Sequence, residues 1–71
     1  MQTLQELGHA VATRRKTLAL RQGVVAEQAG ISKETLSRFE RGHLAEFGSR
    51  KLLAVLAALG MELDLSTGPK L

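Results

Sequence analysis

Hydrophobic residues recur at helical spacing in the first quarter of the chain. Between Leu4 and Leu18 they lie three, four and seven positions apart, intervals that place side chains on one face of an α-helix. Thr3 precedes this pattern, and Glu6 lies three residues after Thr3. This is the spacing of a reciprocal capping box. We predict a first helix over residues 4–17, with basic residues in its last turn, where positive charge suits the helix dipole.

Two shorter amphipathic segments follow, and glycines mark where they end. A second helix is predicted over residues 22–29 and ends at Gly30, since glycine readily adopts the left-handed conformation found after a helix. Ser32 is suited to cap a third helix over residues 33–41. Gly42 is expected to end that helix in the same way.

A fourth helix is predicted over residues 49–59, with Gly60 as its C-terminal stop. Its inner stripe consists of Leu52, Val55, Leu56 and Leu59. Leu53 lies off that stripe, and we assign it to a dimer interface that the fourth helix would form if the C-terminal strand does not. In the preceding loop, Leu44 and Phe47 are expected to fold back onto the core.

After the fourth helix the hydrophobic period changes from helical to alternating. Met61, Leu63 and Leu65 alternate with the acidic Glu62 and Asp64, a pattern that predicts a half-buried strand over about 61–66. No other segment has a strand pattern, and we expect the last residues to be a frayed end. An unpaired strand leaves its backbone unsatisfied, so Met61, Leu63 and Leu65 are assigned to an interface between two chains. The alternative is a tail that lies on its own helices.

The third helix has more polar surface than a buried helix in so short a chain needs. Leu36 and Phe39 are its large apolar residues, and the remaining face carries Lys33, Glu34, Thr35, Ser37, Arg38 and Arg41. Two short helices joined by a glycine turn, the second with a polar face, have the arrangement of a helix-turn-helix. Such a helix fits the major groove of B-form DNA. The competing interpretation is an ordinary solvated helix of a four-helix bundle.

The stretch "LALRQGVVAEQAGISKETLSRFERG" resembles the lambda-repressor-like helix-turn-helix family, also called the Cro/cI or XRE type. The similarity extends over residues 4–59, with the helix-turn-helix at about 22–41. It implies an all-α fold in which four helices form a compact DNA-binding domain, here extended by the C-terminal strand that we expect to pair between two chains. We treat residues 1–71 as a single domain of this kind. Arg21 departs from the family pattern, because threonine or serine often caps the second helix there.

The resemblance implies base contacts for four residues of the third helix, namely Lys33, Glu34, Thr35 and Arg38. Arg38 is the best candidate for two hydrogen bonds to guanine O6 and N7. Lys33 is expected to contact guanine or a phosphate, and Thr35 a polar group or a thymine methyl. Glu34 is ambiguous, because it could accept from cytosine N4 but is repelled by phosphates.

Contacts to the DNA backbone are expected around this helix. Gln22 stands where the family has a glutamine that hydrogen-bonds a phosphate, and Arg21 is expected to reach a phosphate too. At the start of the fourth helix, free N–H groups and the Ser49 hydroxyl suit an anion. The full set of expected phosphate contacts is Gln22, Arg21, Ser37, Arg41, His43, Ser49 and Arg50.

The resemblance also implies a structural ion pair between Arg15 and Glu40, which would hold the third helix in position. Neither residue is expected to contact DNA. Arg14 and Lys16 are interpreted as members of a solvated face.

Composition limits the other functional classes. The chain has 71 residues, no cysteine and a formal net charge of +3, so it lacks thiolate metal sites and is mildly basic, as nucleic-acid binding permits. His9 and His43 have no partner at metal-ligand spacing, and no nucleophile set or phosphate loop is recognisable. We therefore expect no enzyme activity, no metal and no cofactor. The absence of a signal peptide or spanning segment predicts a cytoplasmic protein with no membrane partner.

Two functions from different classes follow. The first is a sequence-specific regulator of transcription, a homodimeric repressor that reads a palindromic operator in double-stranded DNA. The second is an antitoxin, because four helices followed directly by "LGMELDL" are similar to HipB-like antitoxins. That similarity implies a kinase-type toxin protein as partner and autoregulation of the operon.

Overall fold

The computed structural model describes residues 3–64 and 68–70. These residues form four helices and two short strands: α1 (Leu4–Thr17), α2 (Gln22–Ala29), α3 (Lys33–Glu40), α4 (Ser49–Ala58), β1 (Glu62–Asp64) and β2 (Gly68–Lys70). The predicted four-helix architecture is confirmed, and each helix ends within one residue of its expected bounds. None of the described helices is long and apolar enough to cross a membrane.

The helix boundaries follow from local capping chemistry. The Thr3 side chain accepts a hydrogen bond from the Glu6 backbone N–H, and the Glu6 carboxylate accepts from the Thr3 backbone N–H, so the capping box is complete. The Ser32 hydroxyl likewise accepts from the Thr35 N–H at 3.0 Å. Gly30 ends α2 in the left-handed region, with φ 72°. Each side-chain cap stabilises its helix by about 1 kcal/mol.

The core consists of aliphatic side chains from all four helices, closed by one aromatic pair. Its fully buried members include Val11 from α1, Val25 from α2, Leu36 from α3 and Val55 from α4. The Phe39 ring lies with its centroid 4.7 Å from that of Phe47. Phe47 and Leu44 both pack against the buried cluster, so the expected return of this loop to the core is confirmed.

The C-terminal strand has a partner within the same chain. β1 pairs with β2 in antiparallel register, with Leu63 opposite Pro69. The expectation that no other segment forms a strand is therefore wrong, as is the expectation that the last residues are entirely frayed. Proline and glycine disfavour strands by propensity, but β2 is an edge strand, where a proline is tolerated. Leu65 lies outside the described residues.

Met61, which we assigned to a dimer interface, lies in the hydrophobic core of the single chain. Its side chain is only 6% exposed within the single chain, where it belongs to the hydrophobic core, and its N–H donates to the Leu56 carbonyl. The chain turns tightly at Gly60, so Met61 continues the inner surface of α4. Leu53 and Leu63, the other expected interface residues that the structure describes, are 55% and 39% exposed.

Candidate nucleic-acid interface

Helix α3 is anchored on one side and open on the other. Leu36 is fully buried and Phe39 is 1% exposed, and these two residues hold the helix against the body of the protein. Lys33, Glu34 and Arg38 are exposed on the remaining surface. The three side chains can therefore contact a partner without any loss of core packing.

Arg38 and Glu34 form an ion pair along the open face of α3. The Arg38 Nη2 donates to Glu34 Oε1 at 3.0 Å, and the two side chains are 56% and 74% exposed. A guanidinium carries five N–H donors, so most of its donors stay available for another acceptor. Because exposed pairs of this kind contribute little free energy, the guanidinium can leave Glu34 at small cost.

Thr35 takes part in the cap of its own helix. Its Oγ1 accepts a hydrogen bond from the Ser32 hydroxyl at 2.8 Å, and the side chain is half-buried. The Thr35 O–H can still donate, so the hydroxyl and the methyl group both remain available to a base.

A buried ion pair connects α3 to α1. Arg15 donates from Nε to Glu40 Oε2 at 2.7 Å and from Nη2 to Oε1 at 2.8 Å. Its Nη1 donates to the Leu20 carbonyl in the turn before α2. The hydrogen bond to Glu40 raises the pKa of Arg15, while burial acts in the opposite direction. The guanidinium thus stays charged and ties α1, the turn and α3 together, and its pair with Glu40 is the one that the family resemblance implies.

Gln22 belongs to the same network. Its Nε2 donates to Glu40 Oε1 at 2.9 Å, so the amide that we expected to contact a phosphate also holds α2 to α3. The second N–H of that amide remains for a phosphate. Arg21, at the N-cap of α2, is exposed and makes no capping hydrogen bond to its own helix. The side-chain cap that threonine or serine often provides in the family is therefore missing from the described contacts.

The second half of α1, the start of α2 and one side of α3 enclose an open groove of about 580 Å³, which we call the α1–α3 groove. Its walls contain five basic side chains and a single carboxylate. The lining residues are Ala12, Arg15, Lys16, Arg21, Gln22, Lys33, Ser37, Glu40 and Arg41. Four expected phosphate contacts, from Arg21, Gln22, Ser37 and Arg41, therefore line one groove.

The remaining expected phosphate contacts lie at the other end of α3 and at the start of α4. His43 follows α3 in an exposed position, and Ser49 and Arg50 are the exposed first residues of α4. The N-cap is Gly48, which has no side chain to accept from the first turn. Among the described residues no side chain caps the first N–H groups of α4, and such groups suit an anion.

Two positioning contacts have no counterpart in the sequence-based prediction. Gly8 lies where α1 crosses α3, and a Cβ there would collide with the carbonyl oxygen of Phe39. Arg14 donates from Nε to the Leu59 carbonyl at 3.0 Å, which satisfies an acceptor at the C-terminal end of α4. A glycine inside a strong helical pattern was the available signal for the first contact. The second contact spans 45 positions and has no local signal.

Within the described part of the chain, no group of three or more histidine, cysteine, aspartate or glutamate side chains could hold a metal ion. His9 lies on α1 and His43 follows α3, and both are exposed.

The profile of a family described as "Helix-turn-helix domain" matches residues 1–68. The match includes all four helices and extends into β2. No curated protein matches the chain.

Proposed function

The chain belongs to this helix-turn-helix domain family, and on that premise we propose that it is a sequence-specific DNA-binding regulator of transcription. The observation that carries the proposal is the division of α3 into two sides. Leu36 and Phe39 anchor the helix in the core, while Lys33, Glu34 and Arg38 are exposed. A helix of this kind can lie in the major groove with its side chains at base edges.

Within the major groove, Arg38 is the residue that contributes most to base recognition. Its side chain is more than half exposed, and two of the guanidinium donors match guanine O6 and N7. Lys33 begins α3 and also lines the α1–α3 groove, which favours a phosphate contact over a base contact. Glu34 can accept from a cytosine N4, and Thr35 offers its methyl to thymine.

We further propose that the regulator acts as a homodimer and represses by occluding a promoter, as the lambda-repressor-like resemblance implies. Proline has no N–H, so the outer edge of β2 lacks a donor at Pro69. The outer edge of β1 is thus the better place for a second chain to pair. Leu63, which is 39% exposed on β1, and Leu53, which is 55% exposed on α4, offer apolar surface for that contact.

A second candidate is an antitoxin that binds a toxin protein and regulates its own operon. The observation in its favour is that β1 follows α4 after only three residues, which parallels the strand of HipB-like antitoxins. A kinase-like reading frame directly downstream would favour this function. An unrelated neighbour would leave the regulator as the better proposal.

Selection of bound duplexes from a random pool tests the regulator proposal. We expect a motif with two inverted half-sites whose centres lie about 34 Å apart, or a multiple of that distance, because two α3 helices related by a twofold axis must face the same side of the DNA. Binding should also weaken steeply as salt is raised. A single half-site would contradict the dimer, and a pool without enrichment would contradict the proposal itself.

A further inference from the structure

Arg14 holds the C-terminal end of α4 from the last turn of α1. Its Nε donates to the Leu59 carbonyl at 3.0 Å, and its side chain is half-buried, although the sequence pattern assigned it to a solvated face. The last carbonyls of a helix lack partners within that helix, and a cation beside them also suits the helix dipole. Because α4 has no basic residue in its own last turn, Arg14 supplies both the donor and the charge.

This contact lies where the chain leaves α4 and enters the antiparallel pair of strands, which we call the β1–β2 sheet. Leu59 is the C-cap of α4, and a Cβ at Gly60 would lie 3.8 Å from Arg14 Nη2. Gly60 turns the chain with φ 65°, and β1 begins two residues later. The Arg14 guanidinium therefore lies beside the turn that sets the direction of the β1–β2 sheet.

Met61 is the second anchor of this junction. Its side chain lies in the core, and its N–H donates to the Leu56 carbonyl at 2.8 Å. Beyond Met61, β1 lies near α4 and β2 lies near α1, and Leu63 of β1 is 39% exposed. Since Leu63 stays outside the core, the direction of the β1–β2 sheet is set mainly by the two anchors at its start.

The next residue of α1 anchors α3. Arg15 forms the buried ion pair with Glu40 of α3, and consecutive residues of a helix point about 100° apart. Arg14 and Arg15 thus reach in different directions from one turn of α1, the first to the end of α4 and the second to α3. The last turn of α1 therefore links the orientation of the β1–β2 sheet to that of α3.

We propose that Arg14 is a positioning residue that fixes the spacing of the two operator half-sites. This inference rests on the proposed function, in which a second chain pairs with the outer edge of β1 and the dimer reads two half-sites. The direction of β1 then sets the distance between the two α3 helices. Across the shortest dimension of the molecule, 19 Å, a tilt of the sheet by about 10° would displace α3 by about 3 Å, close to the rise of about 3.4 Å per base pair of DNA.

The test measures affinity for duplexes whose half-sites, taken from the selected motif, lie at the best spacing or one base pair closer or farther apart. The wild-type chain should prefer the best spacing by about 100-fold, because a wrong spacing prevents both α3 helices from binding together. Arg14→Met keeps the length of the side chain but has no donor. Its spacing preference should fall by about tenfold, the effect of one charged hydrogen bond that no longer opposes a tilt of the sheet.

Companion variants separate positioning from charge and folding. Arg14→Lys keeps a cationic donor and should retain the spacing preference of the wild-type chain. Lys51→Met removes an exposed lysine of α4 and should leave the spacing preference unchanged, because a lost charge acts on all duplexes alike. Should Arg14→Met fail to fold, Arg14→Gln, which keeps a neutral donor, takes its place with a smaller expected fall.

A duplex with one half-site shows whether α3 still binds, and there Arg14→Met should bind within about threefold of Lys51→Met. An equal spacing preference in Arg14→Met and the wild-type chain would overturn the inference. So would a comparable loss of affinity for the single half-site, since the contact would then only support the fold. Both outcomes leave the proposed function intact. If the wild-type chain selects no paired half-sites, the proposed dimer fails, and the inference fails with it.

Discussion

Replacement of Glu40 by alanine should destabilise the protein by about 3 to 5 kcal/mol, because it leaves the Arg15 guanidinium buried without its counter-ion. The Arg15 side chain is only 11% exposed, so water can compensate little of the lost interaction. A chain of 71 residues has a total stability of roughly 4 to 11 kcal/mol. The variant should therefore lose roughly a quarter of the total stability or more.

Urea denaturation followed by circular dichroism measures this loss. The matched control is Glu34→Ala, which breaks the other ion pair of α3, and its exposed geometry predicts a change below about 1 kcal/mol. The double variant Arg15→Met with Glu40→Leu should recover much of the stability, because it removes both charges together. If Glu40→Ala and Glu34→Ala cost the same, the ion pair does not hold α3 in place.

The pH dependence of this contribution has a definite sign. Since the pKa of Arg15 is raised in the folded chain, the stability that it provides is fully present below its ordinary pKa. That stability is lost only in strongly alkaline solution. Titration of Arg15 should therefore not affect the stability near neutral pH.

Gly8→Ala should destabilise the protein by about 1 to 3 kcal/mol, even though alanine is the better helix former. The added Cβ would lie against the Phe39 carbonyl group, with the carbonyl carbon 2.9 Å away. This carbonyl also accepts the Gly42 N–H that closes the end of α3. Separation of α1 from α3 would therefore disturb both the packing and the loop that follows.

Gly23→Ala is the matched control for that substitution. Gly23 lies inside α2, and a Cβ there meets nothing within 4 Å. Alanine should thus stabilise the protein by about 0.5 to 1 kcal/mol through helix propensity. Thermal unfolding of the two variants should move the midpoint in opposite directions, and a rise for both would show that α1 and α3 do not approach closely at Gly8.

The helices could be predicted because their signals are local. Thr3 and Ser32 cap the helices that they precede, and Gly30, Gly42 and Gly60 have positive φ where helices end. The turn between α1 and α2 also contains a residue with positive φ, but no glycine marks it in the sequence. Ala19 adopts φ 57° between α1 and α2, a conformation in which alanine is disfavoured.

The errors concern contacts between distant parts of the chain. Alternation at Met61 and Leu63 predicted a strand, but it could not show that residues 68–70 would pair with it or that Met61 would enter the core. The polar face of α3 was visible from its composition. The groove was not, because its lysines and arginines come from three helices whose relative placement depends on tertiary packing.

The most direct test of DNA reading by α3 is the ratio of affinities for the selected duplex and a random duplex, compared between the wild-type chain and the double variant Lys33→Gln with Arg38→Gln. Loss of positive charge weakens binding to both duplexes by the same factor, so the ratio of affinities isolates the contacts to bases. We predict that this ratio falls by about tenfold or more, since one bidentate arginine–guanine contact discriminates between bases by about 1 to 3 kcal/mol. An unchanged ratio in a variant that still folds would contradict the assignment of α3 as the recognition helix.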